Sequence, residues 1–450
     1  MNGQPQQPPG AAPSSGSDFV ALTRTPGFWG LIGYAALSGV VLSFAALAFL
    51  ALLSAGTDLW FTLPDDPGWF NGSLWWVAVT GGVGVVVGVL RRAFGLPAKL
   101  PGTIAEIKEQ RTEPSTVLGA VAVSLLSLAG GASLGPEDAL GKMGGGFGTW
   151  ISERRKLSKA QRETNTLSGM SAAYGGLLAS PILATILILE VAPLKTRRFV
   201  EVLIACLLSS SVSFGIYFAL AGSTFVGIFP VPSFEYEDWQ LLAAIPLGLA
   251  AGVLALITLV VIGVMKKLTA PLAKWTVLCS TIGGVVFGLI GVVLPLTLFT
   301  GTDQLTTVIR DGTTFGAGLL IAVVLAKMVV FAVCETTGFI GGPFLVMLFI
   351  GGTAGTAAHV LIPGLPEGLA FAAMFAALPG ALVEAPFSLI LLAALTTQIG
   401  TLQTVPVAIA VVTAYLAVSG TGTLMSLMKR AGKPSSPSTK PPGASRTPPS

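Results

Sequence analysis

The chain has 450 residues, of which 52% are hydrophobic and only 10% charged, and its mean hydropathy is +0.81. Soluble domains carry about 25% charged residues, so this composition excludes an ordinary soluble protein and indicates a polytopic membrane protein. The net charge of +4 comes mostly from short basic loops, which favours a role in membrane orientation over nucleic-acid binding. His359 is the only histidine, so we expect no enzyme activity, no metal site and no cofactor.

The two ends of the chain differ from its middle. Residues 1–27 are rich in Pro, Gln, Gly and Ser and predict a disordered tail, as do the Pro-, Ser- and Lys-rich residues 431–450. Between them, residues 28–430 form the predicted transmembrane domain. Apolar runs long enough to span a bilayer include Phe28–Ala55, Trp75–Leu90, Phe199–Ala221, Leu241–Val264, Trp275–Thr300 and Phe315–Val333.

Charged loops predict the orientation of the chain. The non-basic loop Thr57–Gly72 and the acidic segment Ser233–Trp239 are expected outside the cell. Basic clusters are expected in the cytoplasm and lie at Arg91 and Arg92, at Arg154–Lys156, at Lys195, Arg197 and Arg198, at Lys266 and Lys267, and at Lys429 and Arg430. Both tails are then cytoplasmic, and we expect the protein in the cell membrane.

A glycine-rich stretch, Gly130–Gly141, places two carboxylates inside apolar sequence. Acidic side chains at membrane depth are costly, which makes Glu137 and Asp138 candidates for a functional site. Pro136 suits the first position of a helix, so the stretch predicts a helix that begins inside the bilayer. Such an N-terminus attracts anions, and Glu137 would lie there. The alternative is that these carboxylates only complement a helix dipole. Lys142, about one turn further on, is predicted to be an i,i+4 ion partner of Asp138 rather than an anion ligand.

Two pairs of segments have the same plan. In 160–191, a small-residue helix breaks at Ser180-Pro181 and a short apolar helix ends in Glu190; residues 376–395 repeat this plan around Pro386. The run 338–346 similarly repeats 131–140. Broken helices at matching places indicate an inverted-repeat transporter fold, with a first repeat over about 75–221 and a second over about 240–430.

These residues resemble the CLC family of chloride channels and chloride/proton exchangers, over about Ala98–Lys429. The family motif GxEGP corresponds to Gly135–Ala139 without the later Gly-Pro, and GxFxP corresponds to Gly342–Val346 without the final Pro. The resemblance implies an all-α fold of the CLC type with two inverted-topology repeats and broken helices. It also implies a homodimer with one pore in each chain.

By this resemblance, Glu137 is a gating glutamate that occupies an anion site and leaves it when protonated or displaced. Backbone N–H groups near Gly135–Ala139 and Gly342–Leu345 are the expected anion donors. The implied anion-binding residues are Gly102, Thr103, Gly135, Pro136, Asp138, Gly342, Pro343, Phe344 and Leu345.

Three departures from the family pattern bear on function. Gly102 replaces the serine of the GSGIP motif, so Thr103 is the alternative source of a hydroxyl. The tyrosine that closes the central anion site falls near Thr423–Met425, where no tyrosine is present. Val191 stands where exchangers of the family generally carry an inner glutamate. Valine cannot carry a proton, so the usual relay to Glu137 is lost unless water or Glu190 replaces it.

Channels of the family commonly have valine at this place, so the prediction from Val191 is a passive chloride channel gated by Glu137. A proton-coupled chloride exchanger is the nearest alternative, and a cation-coupled transporter of a small solute is an alternative of another class. The expected partners are chloride or a similar small anion and the lipid bilayer, with no nucleic acid.

Overall fold

The computed structural model describes residues 23–24, 26–61, 68–178 and 180–431, with the backbone alone at 26, 196–197 and 421–431. The predicted tails lie outside these ranges except at their inner ends, and the side chains of Thr423–Met425 are also outside them. The described part of the chain is helical, and seven of its helices are long and apolar enough to cross a membrane. This agrees with the all-α membrane class expected from composition.

The first half of the described chain contains eight α-helices. They are α1 (Pro26–Trp60), α2 (Trp75–Ala93), α3 (Thr103–Glu109), α4 (Pro114–Ala129), α5 (Glu137–Arg154), α6 (Lys159–Gly175), α7 (Pro181–Val191) and α8 (Thr196–Ala221). The predicted break at Ser180-Pro181 is confirmed, because α7 begins at Pro181 and Ser180 caps it by accepting the N–H of Ile182.

The second half contains seven α-helices. They are α9 (Trp239–Thr269), α10 (Thr276–Val293), α11 (Thr302–Thr337), α12 (Phe344–Leu361), α13 (Glu367–Gly380), α14 (Pro386–Thr397) and α15 (Thr404–Ala431), with short 3₁₀ turns at Ala270–Leu272 and Pro295–Thr297. The predicted span Trp275–Thr300 is therefore a helix that ends at Val293 followed by a turn. The break before Pro386 is confirmed.

A sharp bend divides α11. Gly316 has φ +69°, ψ 160°, a left-handed backbone region that glycine adopts without steric penalty. The bend separates a first segment from a longer apolar one, as the loop between α3 and α4 does in the first half. With this division, the eight helices of the first half have counterparts in the second half in the same order.

Packing between helices follows the same correspondence. In the first half α1 packs on α8, α5 on α6, and α6 on α8; in the second half α9 packs on α15, α12 on α13, and α13 on α15. The close pairs use glycines at equivalent places, since a Cβ at Gly144 would overlap the carbonyl of Gly169, and one at Gly351 would overlap that of Met374. Small residues allow such close backbone approach between membrane helices.

Candidate functional site

The segments before α5 and α12 meet as a pair of antiparallel extended residues. Gly135 and Gly342 exchange two backbone hydrogen bonds, each 2.7 Å long. Each helix begins two residues later, at Glu137 and at Phe344, after a proline with helical backbone angles. Pro136 is predicted to be the first residue of α5, but α5 begins one residue later, at Glu137. The carbonyl of Pro136 accepts the N–H of Leu140. The N-termini of α5 and α12 are thereby held beside one another inside the protein.

The carboxylate of Glu137 crosses from α5 to the N-terminus of α12. Its Oε1 accepts the N–H of Phe344 at 2.6 Å and that of Leu345 at 3.4 Å. The Glu137 side chain is buried, with 8% of the residue exposed, and Oε2 has no hydrogen-bond partner. Free N–H groups at a helix N-terminus bind anions, so this carboxylate occupies a site where a free anion would compete with it.

The backbone N–H groups of Gly135 and Gly342 are not free to donate to an ion. Their N–H groups are already bonded to one another's carbonyls, and Pro136 and Pro343 have no N–H to donate. Instead, a Cβ at either glycine would overlap the carboxylate of Glu137. The absence of a side chain at these two positions is what allows the Glu137 carboxylate to reach α12.

Replacing Gly135 by alanine is expected to displace the Glu137 carboxylate, because the three atoms nearest to the new Cβ all belong to that flexible group. Anion flux at neutral pH should then rise severalfold towards its value in acid, as measured by anion efflux from proteoliposomes. Gly263→Ala is the matched control, since a Cβ there has no atom within 4 Å and the residue is exposed on α9, away from the cavity. A Gly135→Ala variant with the pH dependence of the unmodified protein would contradict this assignment.

A cavity of about 120 Å³ lies beside the Glu137 carboxylate. Its polar lining is sparse, and the walls are mainly aliphatic and aromatic. Predicted site residues that line it are Gly102, Thr103, Glu137, Asp138, Val191, Gly342, Pro343 and Phe344. Leu345 contributes its N–H to the carboxylate, and Gly135 pairs with Gly342. The structure therefore brings these predicted site residues into one region.

Thr103 and Asp138 are bonded to one another. Oδ1 of Asp138 accepts the backbone N–H of Thr103 at 2.9 Å and its hydroxyl at 2.8 Å. Because a hydroxyl has a single hydrogen to donate, this bond leaves Thr103 no hydrogen for an anion in the cavity. The side chain of Asp138 accepts both bonds and thereby holds the start of α3 against α5.

Lys142 is buried between two carboxylates, with 1% of its surface exposed. Its Nζ lies 3.1 Å from Oδ1 of Asp138 and 3.4 Å from Oε1 of Glu106, and it donates to the carbonyl of Pro101 at 2.6 Å. The predicted i,i+4 pair with Asp138 is confirmed. Glu106 was not anticipated, and it also accepts the hydroxyl of Thr112 at 3.0 Å. We call Glu106, Lys142 and Asp138 the buried triad.

Glu190 joins the two halves of the molecule. Its carboxylate accepts the N–H groups of Phe387 and Ser388 at 2.8 and 2.7 Å, and also the hydroxyl of Ser388. It therefore caps the N-terminus of α14, where a negative charge is favourable. The next residue, Val191, lines the cavity. Glu190 thus anchors α7 to α14, and an aliphatic side chain takes the adjacent place on the cavity wall.

Tyr174 is a site residue that sequence reasoning missed. Its hydroxyl donates to the backbone carbonyl of Glu137 at 3.2 Å, and the residue lines the cavity. Tyr174 lies near the end of α6, among small residues, and the only local signal is a lone polar aromatic residue in a run that otherwise favours close packing. Its hydroxyl holds the first turn of α5 from the side of α6.

Two further carboxylates, Glu335 and Glu384, are exposed. Glu384 forms an exposed ion pair with Lys108 at 3.0 Å, and Glu335 is an exposed residue on α11. Within the described residues no group of His, Cys, Asp and Glu side chains is arranged to hold a metal ion.

Together, the helical fold and the buried carboxylate on a helix N-terminus define a polytopic membrane protein with an ionisable group in its interior. A family model described as "Voltage gated chloride channel" matches residues 83–419. The chain belongs to this family, whose members are also called CLC proteins, and it is a CLC-type anion transport protein without enzymatic function.

Relatives and solved structures support the same class. A candidate ion-transport protein named YfeO from Salmonella choleraesuis (strain SC-B67) is 25% identical over 348 residues, covering 74% of this chain and 80% of that protein. Its namesake from Escherichia coli (strain SMS-3-5 / SECEC) is 23% identical over 321 residues, covering 69% and 74%.

Two solved structures share the fold. A slow cyanobacterial Cl⁻/H⁺ antiporter aligns with a TM-score of 0.74 at 19% identity, covering 89% of this chain and 97% of that one. A CLC-type fluoride/proton antiporter aligns with a TM-score of 0.69 at 18% identity, covering 90% and 96%.

Proposed function

We propose that this protein exchanges a small monovalent anion, with chloride as the first candidate, for protons. The observation that carries the proposal is the position of Glu137. Oε1 of its carboxylate accepts hydrogen bonds from the N–H groups of Phe344 and Leu345, while Oε2 is buried without a hydrogen-bond partner. An anion and the ionised carboxylate therefore compete for the same donors, and a proton on Glu137 favours the anion.

The steps of exchange follow from this competition. Ionised Glu137 closes the site, because its carboxylate is itself the anion bound to α12. Protonation at Oε2 neutralises the group and weakens its attraction to the helix N-terminus, so the side chain leaves and an anion takes its place. When Glu137 loses that proton on the other side of the membrane, it displaces the anion. The backbone N–H groups replace part of the hydration shell of the ion.

The comparisons support exchange over passive conduction. The two aligned structures are those of antiporters, one of chloride and one of fluoride. One observation favours the passive channel predicted from the sequence: Val191, which cannot carry a proton, lines the cavity where an inner glutamate is expected. The channel is therefore the second candidate function.

The matching order of helices supports a further proposal. Since α1–α8 and α9–α15 pack in corresponding ways and meet at Gly135 and Gly342, we propose that the halves are inverted repeats with the anion site between them. Assembly as a homodimer and cytoplasmic tails remain predictions from the resemblance and from the basic loops.

A proteoliposome experiment tests the exchanger. A chloride gradient is imposed across vesicles that hold the purified protein, and internal pH and chloride are followed together, with the membrane potential clamped by potassium and valinomycin. We expect chloride movement to drive protons against their own gradient. Chloride movement without uphill proton movement would overturn exchange in favour of the channel, and absence of chloride movement would favour the cation-coupled alternative.

A further inference from the structure

The loss of a glutamate at position 191 leaves the proposed exchanger without its expected proton carrier. The buried triad borders the same cavity through Asp138. Both Asp138 and Val191 line the cavity together with Glu137. Nζ of Lys142 lies 3.1 Å from Oδ1 of Asp138 and 3.4 Å from Oε1 of Glu106, so it links the two carboxylates. The chain thus has a continuous path of ionisable groups leading to the cavity beside its gate.

The charges of the triad suit a group that binds and releases one proton. Two carboxylates face one ammonium, so the fully ionised triad is left with one uncompensated negative charge in a buried environment. Burial of such a charge is costly, and one added proton removes it. The two carboxylates are also unequal, because Oδ1 of Asp138 accepts three donors, whereas Glu106 accepts only Thr112 and the longer contact from Lys142.

Other polar groups define the surroundings of the triad. The titratable and charged groups facing it are Glu137 on α5, Tyr174 on α6, and Glu335 on α11 with the neighbouring Lys99. The α3 helix carries the exposed residues Lys108 and Glu109 within one turn of Glu106, so water is near one side of the triad. At the other side Asp138 borders the cavity, where Oε2 of Glu137 has no partner.

We propose that Glu106, Lys142 and Asp138 form the proton pathway to Glu137 from the side predicted as cytoplasmic, replacing the carboxylate absent at Val191. A proton from water binds Glu106. The Lys142 ammonium passes a proton to Asp138 and receives one from Glu106. Asp138 then releases its proton through water in the cavity to Oε2 of Glu137. One proton enters and one leaves, and the triad returns to its starting charge. This inference rests on the proposed exchange function.

The test measures the ratio of protons to chloride moved in the proteoliposome assay. Glu106→Gln keeps the size of the side chain and removes its titration. We expect its proton-to-chloride ratio to fall about tenfold or more while chloride movement continues, since a positioned acid or base typically contributes at least that factor. Glu109→Gln is the matched control, because it makes the same change on the exposed side of the same helix.

A second variant separates proton supply from folding. Adding Val191→Glu to Glu106→Gln places a carboxylate on the cavity wall, and the proton-to-chloride ratio should recover. If Glu106→Gln does not elute as a folded protein, Glu106→Asp replaces it, because the shorter side chain keeps its charge but lengthens the gap to Lys142, and the ratio should again fall.

The outcomes distinguish this pathway from the function on which it rests. Uphill proton movement by the unmodified protein with an unchanged ratio in the folded Glu106 variant overturns the pathway alone. A lowered ratio that Val191→Glu does not restore also overturns it. Absence of uphill proton movement in the unmodified protein overturns the exchanger and, with it, the pathway.

Discussion

Glu137→Gln is expected to abolish proton movement and leave an anion pathway that acid no longer regulates. Glutamine has nearly the same shape as protonated glutamate but cannot release a proton, so it cannot return to the α12 N-terminus as an anion. Without a negative charge it competes weakly for the N–H groups of Phe344 and Leu345. Proton-coupled flux should fall by about two orders of magnitude, the size of a general acid–base contribution.

The measurement is chloride efflux and proton uptake over a range of external pH. In the unmodified protein, acid neutralises Glu137 and should raise the chloride rate; in Glu137→Gln and Glu137→Ala the rate should be high and flat across the same range. Asp138→Asn is a less suitable control because Asp138 belongs to the triad, whereas Glu384→Gln changes an exposed pair outside the site. Strong acid activation retained in Glu137→Gln would show that another group is the gate.

Much of this site could be predicted because its signals are local in sequence. Prolines that follow small residues locate the breaks before α7 and α14, and glycines beside a carboxylate locate the start of α5. An i,i+4 spacing is sufficient to pair Asp138 with Lys142, because a helix brings those positions together. Each of these features depends on residues within about two turns of one another.

The features that sequence reasoning missed depend on distant contacts. Thr103 is 35 residues from Asp138, and its hydroxyl could as well have pointed into the cavity. Glu106 is 36 residues from Lys142, and Tyr174 is 37 from Glu137. Periodicity shows which face of a helix is apolar but cannot show which partner a polar side chain finds across the fold. The pairing of Gly135 with Gly342 was missed for the same reason. A glycine motif does not show whether the glycine donates its N–H to an ion or leaves space for a carboxylate.

Lys142→Met is expected to destabilise the protein by about 3–5 kcal/mol, the usual effect of removing one partner from a buried ion pair. Methionine matches the length and much of the volume of lysine, so the packing around α5 is largely kept. The loss is electrostatic: Asp138 and Glu106 remain buried with two negative charges, and the carbonyl of Pro101 loses its donor at 2.6 Å. Unfolding in detergent, followed by tryptophan fluorescence or circular dichroism, measures the loss.

Two further measurements identify the cause of this destabilisation. Acid should reduce the difference between Lys142→Met and the unmodified protein, because protonating either carboxylate removes one of the uncompensated charges. Glu106→Gln added to Lys142→Met should recover part of the lost stability for the same reason, while Glu109→Gln, which changes an exposed carboxylate on the same helix, should recover none. A Lys142→Met variant as stable as the unmodified protein at neutral pH would contradict this explanation. Asp138 and Glu106 would then have to be neutralised by bound protons rather than by the ammonium of Lys142.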